Sequence, residues 1–345
     1  MRVAVVGATG AVGRRMVSIL EEREFPLDEL RLFASPRSEG TRIPFRGESL
    51  TVHAAGGRWH EGVDVALTSA GGSVSRALLP EAAAAGTVCI DNSSAFRMDP
   101  DVPLVIPELN PDALLGHRNL IANPNCTAIV ALMALGPLHR EFGLRFLITS
   151  SYQSVSGAGQ KGIRELAEQL GKLHGQEEAL GLDGPVDAGG LPSGSVFPKT
   201  IAYNVVPICE RPDPEGSGFT TEELKMGNEA RKILGAPDLV VAATAVRVPV
   251  PVGHGISAYA RFDRPTSPAA AREVLAAAPG VRVLDDPEAG AYPTPIEAAG
   301  RDDVLVGRIR RAHDDERALM LFSAGDNLRK GAALNAVQIA ELLAG

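Results

Sequence analysis

The stretch Arg2-Val3-Ala4-Val5-Val6-Gly7-Ala8-Thr9-Gly10-Ala11-Val12-Gly13 leaves a chain few folds to choose from. Residues 2–6 are mostly apolar and read as a buried strand. The residues after Gly13 (RRMVSILEE) carry the apolar spacing of an amphipathic helix. Between them lies Gly7-x-x-Gly10-x-x-Gly13, a variant of the loop that admits a dinucleotide. In that loop Gly7 turns the chain, Gly10 lets backbone approach a pyrophosphate, and Gly13 lets helix and strand pack closely. A glycine triplet alone is a weak signal. Its place after a strand and before a helix puts Gly7, Thr9, Gly10, Ala11, Val12 and Gly13 at a nucleotide.

The chain then keeps the strand-and-helix rhythm of an open α/β sheet. A strand over Leu30–Ala34 runs into Ser35-Pro36-Arg37-Ser38. An acidic residue there would bind both ribose hydroxyls of NAD. Ser35, Arg37 and Ser38 suit a 2′-phosphate instead, so the expected cofactor is NADP. A short extended piece at Leu50–Ala54 precedes a strand at Val63–Thr68, whose end, Ser69-Ala70-Gly71-Gly72-Ser73, is a second small-residue loop where a cofactor lies close to backbone. Arg76–Ala85 reads as a helix and Thr87–Ile90 as a buried strand that places Cys89 in the core. The polar loop Asp91–Arg97 then falls at a strand's carboxyl end, where such sheets bind ligands, and Arg97 is a candidate for an anion. A short strand is expected within Pro103–Pro111, and Asn119–Ala122 leads into Asn123-Pro124-Asn125-Cys126.

Thr127–Arg140 has the spacing of a buried helix, so Cys126 stands where a loop becomes a helix. Unpaired backbone N–H groups at that end favour a thiolate and can receive an oxyanion. The alternative is a buried structural cysteine, for which the polar Asn-Pro-Asn frame is an odd setting.

Beyond this helix the texture changes. A strand over Leu144–Gln153 enters the loop Ser154–Gln160, and an amphipathic helix is expected over Lys161–Leu180, then a Gly/Pro-rich loop over 181–195 and an extended piece at Tyr203–Pro207. Thr220–Leu234 reads as a helix, with Thr220 and Glu223 in capping-box spacing. Glu222 and Lys225 share a face of it, which by itself suggests a surface ion pair. Leu239–Pro249 and Gly255–Phe262 read as strands of an antiparallel sheet joined through Val250–His254. Arg247 is near the end of the first. His254, between two glycines in an apolar segment, is the best acid/base candidate of the seven histidines. A helix at Pro268–Ala278, strands at Val281–Leu284, Val304–Arg311 and Arg317–Ser323, and a last helix over Asn327–Leu343 complete the chain.

A length of 345 residues predicts two domains. A net charge of −8 argues against nucleic acid or an anionic membrane as partner. The first residues run into a strand without a signal peptide, and no apolar run is long enough to span a bilayer. Cys89, Cys126 and Cys209 lie far apart with no metal-ligand spacing, so neither disulfide nor metal is expected and the cytoplasm is the simplest setting. A nucleotide loop, a nucleophilic cysteine and a histidine together suggest an enzyme that interconverts an aldehyde and an acyl derivative through a thioester.

Over nearly its whole length the chain resembles the aspartate-β-semialdehyde dehydrogenase family. The matching stretches are GATGAVG (7–13), ASPRS (34–38), DNSSAFR (91–97), NPNCT (123–127), SYQSVSGAGQKG (151–162), EELK (222–225), RVPVPVGH (247–254) and DNLRKGAALNAVQIA (326–340). The resemblance implies an α/β fold similar to glyceraldehyde-3-phosphate dehydrogenase. A Rossmann-type NADP-binding domain of residues 1–125 plus 326–345 would join an α+β catalytic and dimerisation domain of residues 126–325 in a homodimer. It implies Cys126 as nucleophile, His254 as acid/base and Gln153 as the group that orients the substrate. Arg247 and Glu222 would bind the substrate's α-carboxylate and α-amine, Arg97 and Lys225 its phosphate, and Asn125 would stand beside the reacting oxygen. Ser35, Arg37, Ser38, Ser69, Gly71, Ser156, Gly157 and Asn327 would join the glycine loop around the cofactor. The implied reaction is NADPH-dependent reduction of L-β-aspartyl phosphate to L-aspartate 4-semialdehyde, feeding lysine, methionine and threonine synthesis. N-acetyl-γ-glutamyl-phosphate reductase uses the same chemistry but need not bind a free amine. A non-catalytic nucleotide-binding relative would be expected to lose Cys126 or His254.

Overall fold

The computed structural model describes every residue except 179, 182–185, 188 and 314. The first half of the chain builds a sheet from β1 (Arg2–Val6), β2 (Glu29–Ala34), β3 (Arg42–Phe45), β4 (Glu48–Ala54), β5 (Val65–Thr68), β6 (Val88–Asp91) and β7 (Leu120–Ala122), in the order β3-β4-β2-β1-β5-β6-β7. All neighbours are parallel except the β3–β4 hairpin. The order reverses at β1, between β2 and β5, and opens a crevice at the carboxyl ends of the strands. Helix α1 (Ala11–Glu22) covers one face with Met16, Val17, Ile19 and Leu20. Helix α2 (Gly72–Ala84) covers the other with Leu79 and Ala82.

The second sheet consists of β8 (Leu144–Gln153), β9 (Val240–Arg247), β10 (His254–Phe262), β11 (Val281–Val283), β12 (Val304–Arg311) and β13 (Ala318–Gly325), ordered β11-β12-β13-β10-β8-β9. Helices α3 (Cys126–Phe142), α5 (Thr221–Leu234) and α6 (Pro268–Ala276) bury their apolar sides on one face of it. Helix α4 (Gln160–Leu173) packs on a smaller apolar cluster with Phe197 and Ile201, and α7 (Pro295–Ala298) is a single turn. The chain then returns through a π-type turn at Arg329–Ala333 into α8 (Leu334–Ala344). The apolar side of α8 (Leu334, Val337, Ile339, Ala340) fills the core beside Val3, Val5 and Met16 of the first sheet.

Several expectations are corrected. Strands β9 and β10 do not pair with each other. Both pair with β8, β9 parallel and β10 antiparallel, so the sheet is mixed. The connection between them is rich in proline and makes no hairpin. It crosses the end of β8, where Val248 N–H donates to the Gln153 carbonyl and Val155 N–H to that of Val250. The strand expected within Pro103–Pro111 is a single bridge at Leu104, because the Asn110 side chain takes the Leu104 carbonyl and the Ile106 amide for itself. Helix α4 stops at Leu173, close to Gly175 at φ +80°. The loop read over 181–195 lies partly outside the described residues. The final helix begins with the π-type turn, fixed by the Asp326 carboxylate accepting from the Leu328 and Arg329 amides.

Candidate active site

Helix α3 is apolar on almost every side and buried along its length, so its first turn is held firmly. Its cap is Asn125, whose Oδ1 accepts from the amides of Thr127 at 2.9 Å and Ala128 at 3.4 Å. Cys126 is the first helical residue, one earlier than its sequence pattern suggests. Its Sγ lies 3.3 Å from Nε2 of His254, a fully buried side chain at the start of β10. Nδ1 of His254 faces Ser154: the Ser154 amide donates to it at 3.1 Å, and the Ser154 hydroxyl is also 3.1 Å away. That hydroxyl donates to Oδ1 of Asn327, which also accepts from Ser156 Oγ and the Gly253 amide.

The protonation states follow from burial. Burial pushes the Cys126 thiol up to about 11 and Glu222 adds to it, against the pull of Arg97 and Arg247. Desolvation at the sulfur therefore opposes the thiolate that the helix terminus favours. Burial, with the charge of Arg247, pushes His254 down to about 3, so it rests neutral. A bare Nδ1 suits the Ser154 amide and leaves the proton on Nε2. In the other protonated forms Nδ1–H can donate to the Ser154 hydroxyl instead.

Beside the cysteine, Glu222 accepts from Gln153 Nε2 at 3.1 Å, Asn125 Nδ2 at 3.2 Å and Thr127 Oγ1 at 3.2 Å, and pairs with Lys225 at 3.2 Å. Burial alone would raise the Glu222 carboxyl, but Lys225, Gln153 and Arg247 hold it below the usual range. Burial likewise opposes the charge on Lys225, yet Glu222 and Glu210 carry its pKa up. Arg247 donates from Nη1 to the Ser154 carbonyl at 2.8 Å and lies over the Phe197 ring.

Two residues missed in the sequence complete this wall. Buried Glu229 takes Nη1 of Arg97 at 3.0 Å on one oxygen and the Asn125 amide at 2.6 Å on the other. Lys232 donates to the carbonyls of Arg97, Asp99 and Val102. Glu222, Lys225, Glu229 and Lys232 stand at i, i+3, i+7 and i+10 on α5, a charged stripe along one helix face. That spacing was the available signal.

A cavity of about 310 Å³ runs from Cys126 to the glycine loop. It is lined by Arg97 and Asn125 and by Gly10, Ala11, Val12, Ser69, Ser156, Gly157 and Asn327 of the expected cofactor set. The residues fit a dinucleotide. A Cβ on Gly7 would sit 2.3 Å from the Ser69 carbonyl oxygen, and one on Gly13 would sit 2.2 Å from that of Gly7, so both are close-packing positions. Gly10 caps α1 without a side-chain bond, which leaves the helix amides to an anion. Thr9 bonds Ser38 at 3.3 Å and ties this loop to the turn carrying Ser35 and exposed Arg37, while Gly71 (φ +90°) caps α2. A larger cavity of about 590 Å³ at the far end of α3 contains none of these groups.

A nucleotide crevice joined to a half-buried cysteine set against a buried histidine defines a thiol-dependent, nicotinamide-using aldehyde dehydrogenase. The match to semialdehyde dehydrogenases is direct: their NAD-binding domain matches residues 2–117 and their dimerisation domain residues 135–330. The aspartate-semialdehyde dehydrogenase of Mycolicibacterium smegmatis is 49% identical over 350 residues, covering 100% of this chain and 99% of the relative. That of Bacillus subtilis is 46% identical over 344 residues, covering 99% and 97%. The crystal structure of aspartate semialdehyde dehydrogenase II from Vibrio cholerae superposes with a TM-score of 0.91 at 42% identity, covering 99% of this chain and 98% of that one, and the same enzyme is known complexed with ASA. The chain belongs to the aspartate-semialdehyde dehydrogenase family.

Proposed function

We propose that the enzyme converts L-β-aspartyl phosphate to L-aspartate 4-semialdehyde with NADPH, through a thioester on Cys126. The observation that carries this reading is the 3.3 Å approach of Cys126 Sγ to His254 Nε2 in a cavity shared with the glycine loop. His254 takes the thiol proton at Nε2, in the form whose Nδ1–H is donated to the Ser154 hydroxyl. Sulfur then attacks the acyl carbon as the bond to phosphate oxygen breaks. Arg97 and Lys225 hold the departing phosphate. Gln153 orients the substrate, whose carboxylate pairs with Arg247 and whose ammonium takes a place beside Glu222. Ser35, Arg37 and Ser38 would hold the 2′-phosphate of NADPH, which when bound would provide the hydride that reduces the acyl carbon. His254 gives the thiol proton to the departing phosphate, and a proton taken up from solvent at Nε2 passes to sulfur as the C–S bond breaks and the aldehyde leaves. Cys126 and Asn125, at the start of α3, face the oxygen that carries negative charge in both tetrahedral states.

The cofactor domain is assigned to residues 1–125 plus 326–345 and the catalytic and dimerisation domain to 126–325, a reading supported by α8 packing in the core of the first sheet. A homodimer through the second sheet is assigned on its outward apolar face. No helix among the described residues is long and apolar enough to cross a membrane, and the three free cysteines suit a cytoplasmic, reducing setting. The reaction is tested by following NADPH formation from NADP, phosphate and either aspartate semialdehyde or N-acetylglutamate semialdehyde. Glu222, a buried carboxylate suited to an ammonium, predicts turnover of the first only. Preference for the acetylated substrate would replace this reading with that of an acylglutamyl-phosphate reductase.

A further inference from the structure

Asn92 follows β6, at the carboxyl edge of the first sheet, and lines the Cys126 cavity. Its backbone carbonyl accepts from Nη2 of Arg97 at 2.8 Å. Its side-chain Nδ2 is buried and has no acceptor among the described residues. An unmet buried donor is costly, and in an active-site cavity it points to an acceptor supplied by a ligand.

An asparagine amide could ordinarily turn and offer its oxygen instead. Here a chain of side chains fixes which end Asn92 presents. It starts at Lys330, which is buried in the π-type turn and donates to Glu108, to Gln338 Oε1 at 2.8 Å and to Asn335 Oδ1 at 2.9 Å. Three acceptors around one nitrogen require a donor on every side, and an ammonium provides nothing else. Asn335 therefore turns its amide nitrogen to the Val105 carbonyl at 2.9 Å and to Asn123 Oδ1 at 2.7 Å. Asn123 in turn directs its own nitrogen at the Ala332 carbonyl and at Asn92 Oδ1. Carbonyl oxygens accept only, so each link is pinned independently. With its oxygen engaged, Asn92 is left with NH₂ as the free end.

We propose that Asn92 is a ligand-binding residue of this site, its amide donating to a phosphate oxygen beside Arg97, with its polarity set by the Lys330–Asn335–Asn123 chain. The proposal rests on the reading of Arg97 as a phosphate residue. The phosphate has two possible sources, the transferable phosphate of the substrate and the diphosphate of the cofactor.

The test compares Asn92→Ala, Asn92→Asp and Arg97→Ala in the full-length enzyme. KM is measured for inorganic phosphate and for semialdehyde in the oxidative direction, Kd for NADPH by fluorescence titration, and Tm for each variant. A donor to a charged oxygen predicts that Asn92→Ala raises KM for phosphate about tenfold to a hundredfold, leaving KM for semialdehyde and Tm nearly unchanged. Asn92→Asp keeps the shape and the acceptor for Asn123 but puts a carboxylate against the phosphate, so its loss is larger than that of alanine. A rise in the NADPH Kd with an unchanged KM for phosphate assigns the donor to the cofactor diphosphate. If neither constant moves, or if Asp behaves like Asn, the proposal is wrong. A rise in KM for phosphate in Asn92→Ala but not in Arg97→Ala would overturn the Arg97 reading and leave Asn92 standing.

Discussion

At the scale of single residues, burial separates the roles of Cys126 and His254. With the thiol held near 11, the thiolate fraction grows throughout the neutral range, whereas an ordinary cysteine levels off above about 8.5. Iodoacetamide modification of Cys126, followed by mass spectrometry, is expected to rise about tenfold per pH unit from 7 to 10. A plateau near pH 8.5 would refute the buried-thiol account. His254, held near 3, has no charge change to contribute between pH 5 and 9, so the profile of kcat/KM should lack an inflection near 6.5. Cys126→Ser should abolish turnover yet still bind NADPH. His254→Asn should cost about 10²–10⁴ in rate while leaving Cys126 open to alkylation. Cys89 and Cys209 are both buried, and desolvation drives both thiols up to about 12, so they should remain unmodified. Arg37 is exposed beside Ser35 and Ser38. Arg37→Ala should therefore raise KM for NADP far more than for NAD, and equal losses would remove Arg37 from the 2′-phosphate.

At the scale of elements, α5 is the piece that joins the halves of the site, and its buried carboxylates, Glu222 and Glu229, differ from an ordinary surface acid. Glu229 is fully buried against Arg97 and the Asn125 amide. Removing its charge strands a buried guanidinium, a change that typically costs about 3–5 kcal/mol. Glu229→Gln should lose stability of that order in urea titration and raise KM for phosphate, because Arg97 loses its anchor. Glu210, the more exposed partner of Lys225, should cost under about 1 kcal/mol when changed to Gln, since solvent screens it. Equal losses in the two variants would contradict this division. Arg247→Ala, in contrast, should mainly raise KM for semialdehyde. Legibility in the sequence divides along the same line. The cap of α5 was legible because Thr220 and Glu223 are three residues apart and bond each other's backbone amides. The nucleotide loop was legible for the same local reason. Glu229 was not, because its partner Arg97 lies 132 residues away and only the packed fold brings them together. The mixed order of the second sheet was hidden too. Strand patterns give faces, whereas β9 joins the free edge of β8 through a crossover that carries α4 and α5. For Cys126 the helix end was legible in the sequence, whereas the desolvation that opposes its thiolate depends on the packed fold.

At the scale of the whole molecule, the second sheet has one face under α3, α5 and α6 and another on which, of the helices described, only the single turn α7 packs, over Phe322 and Ala324 of β13. Strand alternation turns Ile148, Ser150 and Tyr152 of β8 to that outer face, beside Ser257 and Tyr259 of β10 and Met320 and Phe322 of β13. Ile148 and Tyr152 are 44% and 39% exposed, which is high for apolar side chains at the centre of a sheet. A two-fold dimer through this face would cover the patch with its own copy, so one substitution is repeated on both sides of the axis. Ile148→Arg would bring two guanidinium groups into a contact meant to be apolar. The wild-type chain should scatter light as twice 36.1 kDa, and the variant as one chain with unchanged circular dichroism. The consequence should reach the site through β8 itself. Its outward residues alternate with Thr149, Ser151 and Gln153, and Gln153 is the residue that meets Glu222. Loosening β8 should raise KM for semialdehyde more than Kd for NADPH, whose glycine loop belongs to the other sheet. A variant that stays dimeric would place the interface elsewhere, and a monomer with unaltered KM would separate assembly from catalysis.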